Sequence, residues 1–189
     1  TYFVSLFGKE AVAAYGSAMR VEQIVLVPSI GLNISTLTLI AQNNGARLFD
    51  RIKQTLDTTL RYGAVLMGIG TVLALVGADD LMTLFTEDPS VIRMGATYLR
   101  IDALVFYAYV VLFVHVAALQ GMKRPLYALW IGLYRQLFAP VVIFWSLLHV
   151  FETGLTGLWW GIFGVTWSAA LFTLFYARRL IARESGTRE

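Results

Sequence analysis

Cysteine is absent from the 189 residues, which excludes disulfides and thiolate metal sites and leaves the redox compartment open. Histidine occurs twice, too rarely for a histidine-rich metal centre: His149 falls beside a loop, and His115 is a lone imidazole on an aromatic helix, where packing is the simpler reading. No metal-ligand spacing, no nucleophile with a nearby base and no glycine-rich phosphate loop can be found, so no catalytic constellation is expected and the chain does not read as an enzyme. Charge is also scarce, at 14% of residues. A start methionine is missing as well. The opening TYFVSLF is too short for a span or a signal peptide, so the sequence reads as the back part of something longer.

What fills the chain is apolar. Hydrophobic residues make up 58% and the mean hydropathy is +0.67, too high for an ordinary soluble domain of this size. The pattern predicts an all-α polytopic membrane helix bundle, one transmembrane domain over residues 1–189. Its spans are expected at residues 11–41, 57–78, 90–119, 126–150 and 155–176. Pro28 predicts a kink in the first span and Pro140 a bend in the fourth, because proline cannot donate to the carbonyl four residues back. Between the first two spans, residues 42–54 read as a polar turn leading into a short amphipathic segment. Gly63, Gly68 and Gly70 offer the second span small surfaces for close helix approach. Asp88 before Pro89 suits a helix start. Trp159, Trp160 and Trp167 suit interfacial or packing positions in the last span.

The third span organises the rest. At about 1.5 Å per residue, Asp102 lies about 16 Å past Val91, near the middle of a hydrocarbon core about 30 Å thick. An Asp at a helix centre costs about 2.5 to 3.5 kcal/mol on insertion scales, so it should face a protein interior or a water-filled pathway. Asp102 is therefore the first functional candidate. The first span carries a similar pair, Arg20 and Glu22, to match Arg100 and Asp102. Residues two apart point to nearly opposite sides of a helix, so pairing across helices, with Arg20, Arg100 or Arg135 as charge partners, is expected. Tyr98, Asp102, Phe106, Tyr109 and Phe113 recur at spacings of four and three and share one face of a continuous helix. An acid among rings can hold an organic cation through charge and cation–π contact; for the rings alone, ordinary bundle packing is the simpler reading. Gln23 joins Phe106, Tyr109 and Phe113 as a candidate lining residue of a substrate cleft.

Basic residues of the connections set the expected orientation. Arg47, Arg51, Lys53, Arg61, Lys123, Arg124, Arg178, Arg179, Arg183 and Arg188 fall on one side, and only Lys9 and Arg93 on the other. The positive-inside rule puts the first group and the C-terminus in the cytoplasm. These basic loops read as topology signals and lipid contacts rather than as a nucleic-acid surface, so no nucleic-acid partner is expected.

The segments AVAAYGSAMRVEQIVLVPSIGLN, AQNNGA, LFTEDPSVIRMGATYLRI, LQGMKRP and GLWWGI together resemble the carboxy-terminal half of the multidrug and toxic compound extrusion (MATE) transporters. The resemblance covers nearly the whole chain. It implies part of a twelve-helix architecture of the MOP superfamily, two six-helix lobes around a central cleft, with this chain running from the end of span seven through span twelve. An amino-terminal lobe would then be a partner supplied by the rest of the polypeptide. Ala41 stands where the family usually has Gly before Gln-Asn. In the family an acid of the tenth span, four residues after a Tyr, helps bind the coupling ion; Asp102 after Tyr98 resembles it, and Glu22 resembles a motif residue of less defined role. The implied function is secondary antiport in a bacterial inner membrane, exporting amphiphilic or cationic compounds in exchange for H+ or Na+, with no other cofactor. Two alternatives stay open: a lipid-linked oligosaccharide flippase of the same superfamily, which the three arginines would serve, and a non-transporting membrane scaffold or truncated fragment.

Overall fold

A computed structural model describes residues 2–186 as helices joined by short turns, with no strand among the described residues. Thr1 and Arg188, used above, lie outside them. After a short helix α1 (Tyr2–Ser5), the chain forms α2 (Lys9–Gly45), α3 (Phe49–Thr83), α4 (Pro89–Ala103), α5 (Phe106–Gly121), α6 (Pro125–Leu133), a π-helical turn over Tyr134–Phe138, α7 (Ala139–His149) and α8 (Gly154–Gly186). Four helical stretches are long and apolar enough to cross a membrane, and a fifth crossing is available if α4 and α5 count as one broken span. Their outer faces carry exposed Ile24, Val27, Ile30 and Ile34 on α2 and Val65, Ile69, Val72 and Val76 on α3. In water such stripes would be aggregation-prone; against lipid tails they are solvated.

The centre is α5. Phe106, Ala108, Val110, Val114, Ala117, Ala118 and Leu119 are fully buried, with α2, α3 and α8 packed around them. Small residues set the spacing. A Cβ on Gly63 would collide with Val110, and one on Gly121 would sit 3.1 Å from Leu37 O and Ala41 N, so the α2 and α5 backbones approach as closely as only glycine permits. Gly68 differs from its expectation: it faces open space and mediates no helix contact. Asn33 Nδ2 donates to Phe113 O at 2.9 Å and Asn44 Nδ2 to Gly121 O at 3.4 Å, lacing α2 to α5 along their length.

Both turns at the basic end use one device. Arg47 and Lys123 adopt left-handed backbone (φ 60 and φ 64), and the next amides, Leu48 N and Arg124 N, each donate at 2.8 Å to a carbonyl five residues back. The Asn44–Gly121 bond and the Arg124–Glu184 pair at 3.6 Å put both turns and the end of α8 together at this end of the bundle. At the other end, Asp88 caps α4 by accepting from Ser90 N at 2.8 Å, with Pro89 in the first turn. The Ser90 hydroxyl, followed by its backbone N–H, holds the Asp88 carboxyl below the usual carboxylate range.

Several expectations about helix continuity need correction. The second span has no separate amphipathic segment before it: α2 runs on to Gly45 and α3 starts at Phe49, leaving a turn of only three residues. α2 continues through Pro28 as one helix. Ahead of Pro140 the chain responds with the π-helical turn, whose wider spacing relieves the demand for a donor at Pro140. The third span is not continuous. It breaks between Ala103 and Phe106, with a bend of 50°, although neither proline nor glycine is present there. Side chains from two other helices explain it: Thr71 Oγ1 donates to Ala103 O at 2.9 Å and Trp167 Nε1 to Leu104 O at 3.1 Å, satisfying carbonyls that the break releases.

Candidate functional site

A cavity of about 480 Å³ opens between α2, α4, α5, α8 and the π-helical turn with the start of α7. That volume lies in the range of small-molecule sites. Glu22 and Gln23 reach it from α2, Tyr98 from α4, Tyr109 and Phe113 from α5, and Arg135 and Gln136 from the π-helical turn. The wider π geometry places Arg135 and Gln136 together at the wall, and the Arg135 guanidinium lies 5.5 Å from the centre of the Tyr109 ring, a cation–π distance. Arg135 also attracts Glu22 electrostatically.

Glu22 is buried at the cavity edge. The Tyr98 hydroxyl donates to its Oε2 at 2.7 Å, and Tyr109 approaches the same carboxylate. Tyr98 is held by rings on two sides: it meets Tyr15 edge-on at 5.3 Å and Trp159 edge-on at 4.9 Å, while Tyr15 stacks on Trp159 at 5.5 Å. The hydroxyl is thereby aimed by packing rather than by a second hydrogen bond. Trp159 takes the packing role of its two expected ones, whereas Trp160 is half exposed.

Asp102 lies one helical turn beyond Tyr98, 2% exposed, and neither carboxylate oxygen has a hydrogen-bond partner among the described residues. It sits within the electrostatic field of Glu22. Two buried carboxylates near one another, one with no donor at all, carry a charging cost of several kcal/mol per ion. A proton or a small cation removes that cost, and this is the chemistry the arrangement can perform.

Of the expected site residues, the structure lines the cavity with Glu22, Gln23, Tyr98, Tyr109, Phe113 and Arg135, and it buries Asp102 outside the lining, in the field of Glu22. It separates three others. Phe106 is fully buried against Gly70 of α3, because the break turns its position away from the cavity; the shared face of a continuous helix does not survive. Arg100 pairs instead with Asp79 at the end of α3, in solvent reach. Arg20 is exposed and joins none of the ion pairs found among the described residues. The sequence reading missed Tyr15 as a site residue. Its spacing of seven from Glu22 on one helix face is the signal that pointed to it.

A family model described as MatE matches residues 1–145. The chain belongs to the MatE family. Its sequence is 30% identical over 125 residues to a protein named FAD transporter of Shewanella oneidensis, covering 66% of this chain and 28% of that protein. It is 24% identical over 159 residues to the probable multidrug resistance protein YoeA of Bacillus subtilis, covering 84% of this chain and 34% of that one. The chain thus spans about a third of the length of these curated relatives. Among solved structures, a MOP superfamily transporter from Pyrococcus furiosus superposes with a TM-score of 0.91 at 19% identity, over 97% of this chain and 42% of that one. An outward-facing multidrug resistance MATE family transporter superposes with a TM-score of 0.90 at 20% identity, over 97% and 41%. These two likenesses establish the fold: the chain is an integral membrane helix bundle of MATE architecture.

Proposed function

We propose that this MatE chain forms most of the carboxy-terminal lobe of a secondary antiporter, exporting an organic cation in exchange for H+ or Na+. The observation that carries the reading is Asp102: buried, without a single donor to its oxygens, and next to Glu22 at the wall of a cavity of small-molecule size. A driving ion bound to the carboxylate pair neutralises it; its departure leaves a negative site that an organic cation can enter, with Tyr109 and Phe113 as ring contacts. Ion and substrate then compete, which is the logic of exchange. The rest of the polypeptide supplies the facing amino-terminal lobe, the small-molecule substrate enters between the lobes, and the basic end of the bundle faces the cytoplasm of a bacterial plasma membrane.

A second reading is an anionic, phosphate-bearing substrate. Arg135 at the cavity wall and the relative named FAD transporter favour it. It is weaker than three arginines would make it, because Arg100 is paired with Asp79 and Arg20 lies outside the cavity lining.

The test is efflux of a fluorescent organic cation from proteoliposomes holding the full-length protein, under imposed proton and sodium gradients. Asp102→Asn that inserts normally should lose gradient-driven efflux, and the gradient that drives wild type names the ion. If Asp102→Asn transports like wild type, the carboxylate is a packing residue. If Arg135→Gln alone abolishes transport and only phosphate-bearing compounds move, the second reading replaces the first.

A further inference from the structure

Away from the acidic cavity, α3, α5 and α8 enclose another of about 280 Å³ near the basic end of the bundle. Lys53 and Asp57 of α3, Arg178 of α8 and His115 of α5 line it. His115 is fully buried. Its Nδ1 lies 2.7 Å from the Val111 carbonyl, and because a carbonyl oxygen only accepts, Nδ1 carries the proton. The Nε2 of the neutral ring therefore presents a lone pair. That atom is buried and has no partner among the described residues.

The cavity combines two chemistries. Lys53 and Arg178 bring positive charge suited to a phosphate, while the Asp57 carboxylate and the His115 Nε2 lone pair ask for N–H donors. Lys53 pairs with Asp50 at 3.9 Å in solvent, a pairing of the kind that exchanges at little cost. A ligand complementary to all four groups carries a phosphate and a primary ammonium a few atoms apart. Position favours a lipid as its source. One turn from Arg178 on α8, Phe175 is exposed, so apolar surface gives way to charge at the mouth, as at the level of lipid headgroups.

We infer that this groove binds the headgroup of phosphatidylethanolamine, its phosphate on Lys53 and Arg178 and its ammonium on Asp57 and the His115 Nε2. The site is separate from the carboxylate pair and does not depend on what the acidic cavity transports.

Native mass spectrometry of the full-length protein, titrated with phosphatidylethanolamine, phosphatidylcholine and phosphatidylglycerol of matched acyl chains, tests it. Phosphatidylethanolamine should bind about ten-fold tighter than phosphatidylcholine, whose ammonium has no N–H to donate. Asp57→Asn and His115→Phe should each erode that preference while leaving phosphatidylcholine binding in place. Arg178→Gln should weaken both lipids. Because His115 is buried and its replacement can disturb packing, the exposed Asp57 and Arg178 variants keep the test valid if His115→Phe fails to fold. Equal binding of the three lipids, or no effect of Arg178→Gln, overturns the inference. So does displacement of all lipid by millimolar inorganic phosphate, which would make this a site for the free ion.

Discussion

Tyr98→Phe removes one oxygen and little else. The ring keeps its contacts with Tyr15 and Trp159, so the cluster that fixes its position stays in place. What is lost is the 2.7 Å hydrogen bond to Glu22 Oε2. A hydrogen bond to a charged group contributes about 1.5 to 3 kcal/mol, and Tyr109 beside the same carboxylate offsets part of the loss, so the lower end applies. About 1.5 kcal/mol is roughly ten-fold in an equilibrium constant. If Glu22 takes part in holding the driving ion, the half-saturating ion concentration for efflux from proteoliposomes should change by about that factor, with thermal stability close to wild type. Tyr15→Phe is the control, since the Tyr15 ring packs on Tyr98 while it is the Tyr98 hydroxyl that donates to Glu22. A change of less than about two-fold in Tyr98→Phe, or an equal change in Tyr15→Phe, would refute the reasoning.

Other outcomes follow from the packing. Gly121→Ala puts a methyl 3.1 Å from two backbone atoms of α2, which cannot yield as a side chain can; overpacking of this kind costs about 1 to 3 kcal/mol, and the melting temperature should fall clearly below that of Gly68→Ala, whose methyl meets open space. Thr71→Val leaves the Ala103 carbonyl at the helix break without its donor and should cost about 1 kcal/mol, a fall of about 2 to 4 °C in melting temperature; an unchanged value would mean that the break is held by other contacts. At Asp88 the folded carboxyl titrates below its unfolded range, so the cap contributes above that range and is lost as pH falls through the lower folded value. Hydrogen exchange at the Ser90 amide should therefore accelerate, beyond its intrinsic pH dependence, only on acidification below about pH 4, and an effect already present near neutrality would contradict the assignment.

Local chemistry made some of this legible in the sequence. Asp88-Pro89 marks a helix start by the side chain and fixed φ it provides, and Asp102 stands out because a carboxylate amid apolar residues must find a protein environment. Glu22 is readable for the same reason, and Tyr98 by its spacing of four from Asp102. The break after Ala103 was not, because Leu104 and Val105 carry no local instruction to stop a helix; it depends on Thr71 and Trp167, far away in sequence, to receive the released carbonyls. Phe106 was misplaced as a direct result, since a spacing argument assumes one unbroken helix. Arg20 and Arg100 depart from the expectation for another reason. A charge at the same depth as an acid can be paired by any helix end nearby, and Arg100 found Asp79, which sequence spacing does not connect to it. Arg135 reached the cavity through a π-helical turn that no simple 3.6-residue period describes.

The central claim is that ion and organic cation compete for the Glu22 and Asp102 carboxylates. Its most direct test is the dissociation constant of a fluorescent organic cation for the full-length protein in detergent, measured against rising proton and then sodium concentration. The same titrations are repeated for the Glu22→Gln, Asp102→Asn double variant. The account predicts that affinity weakens as one of the two ions increases in wild type and that the double variant binds weakly with no such dependence. Equal ion dependence in both proteins would contradict it.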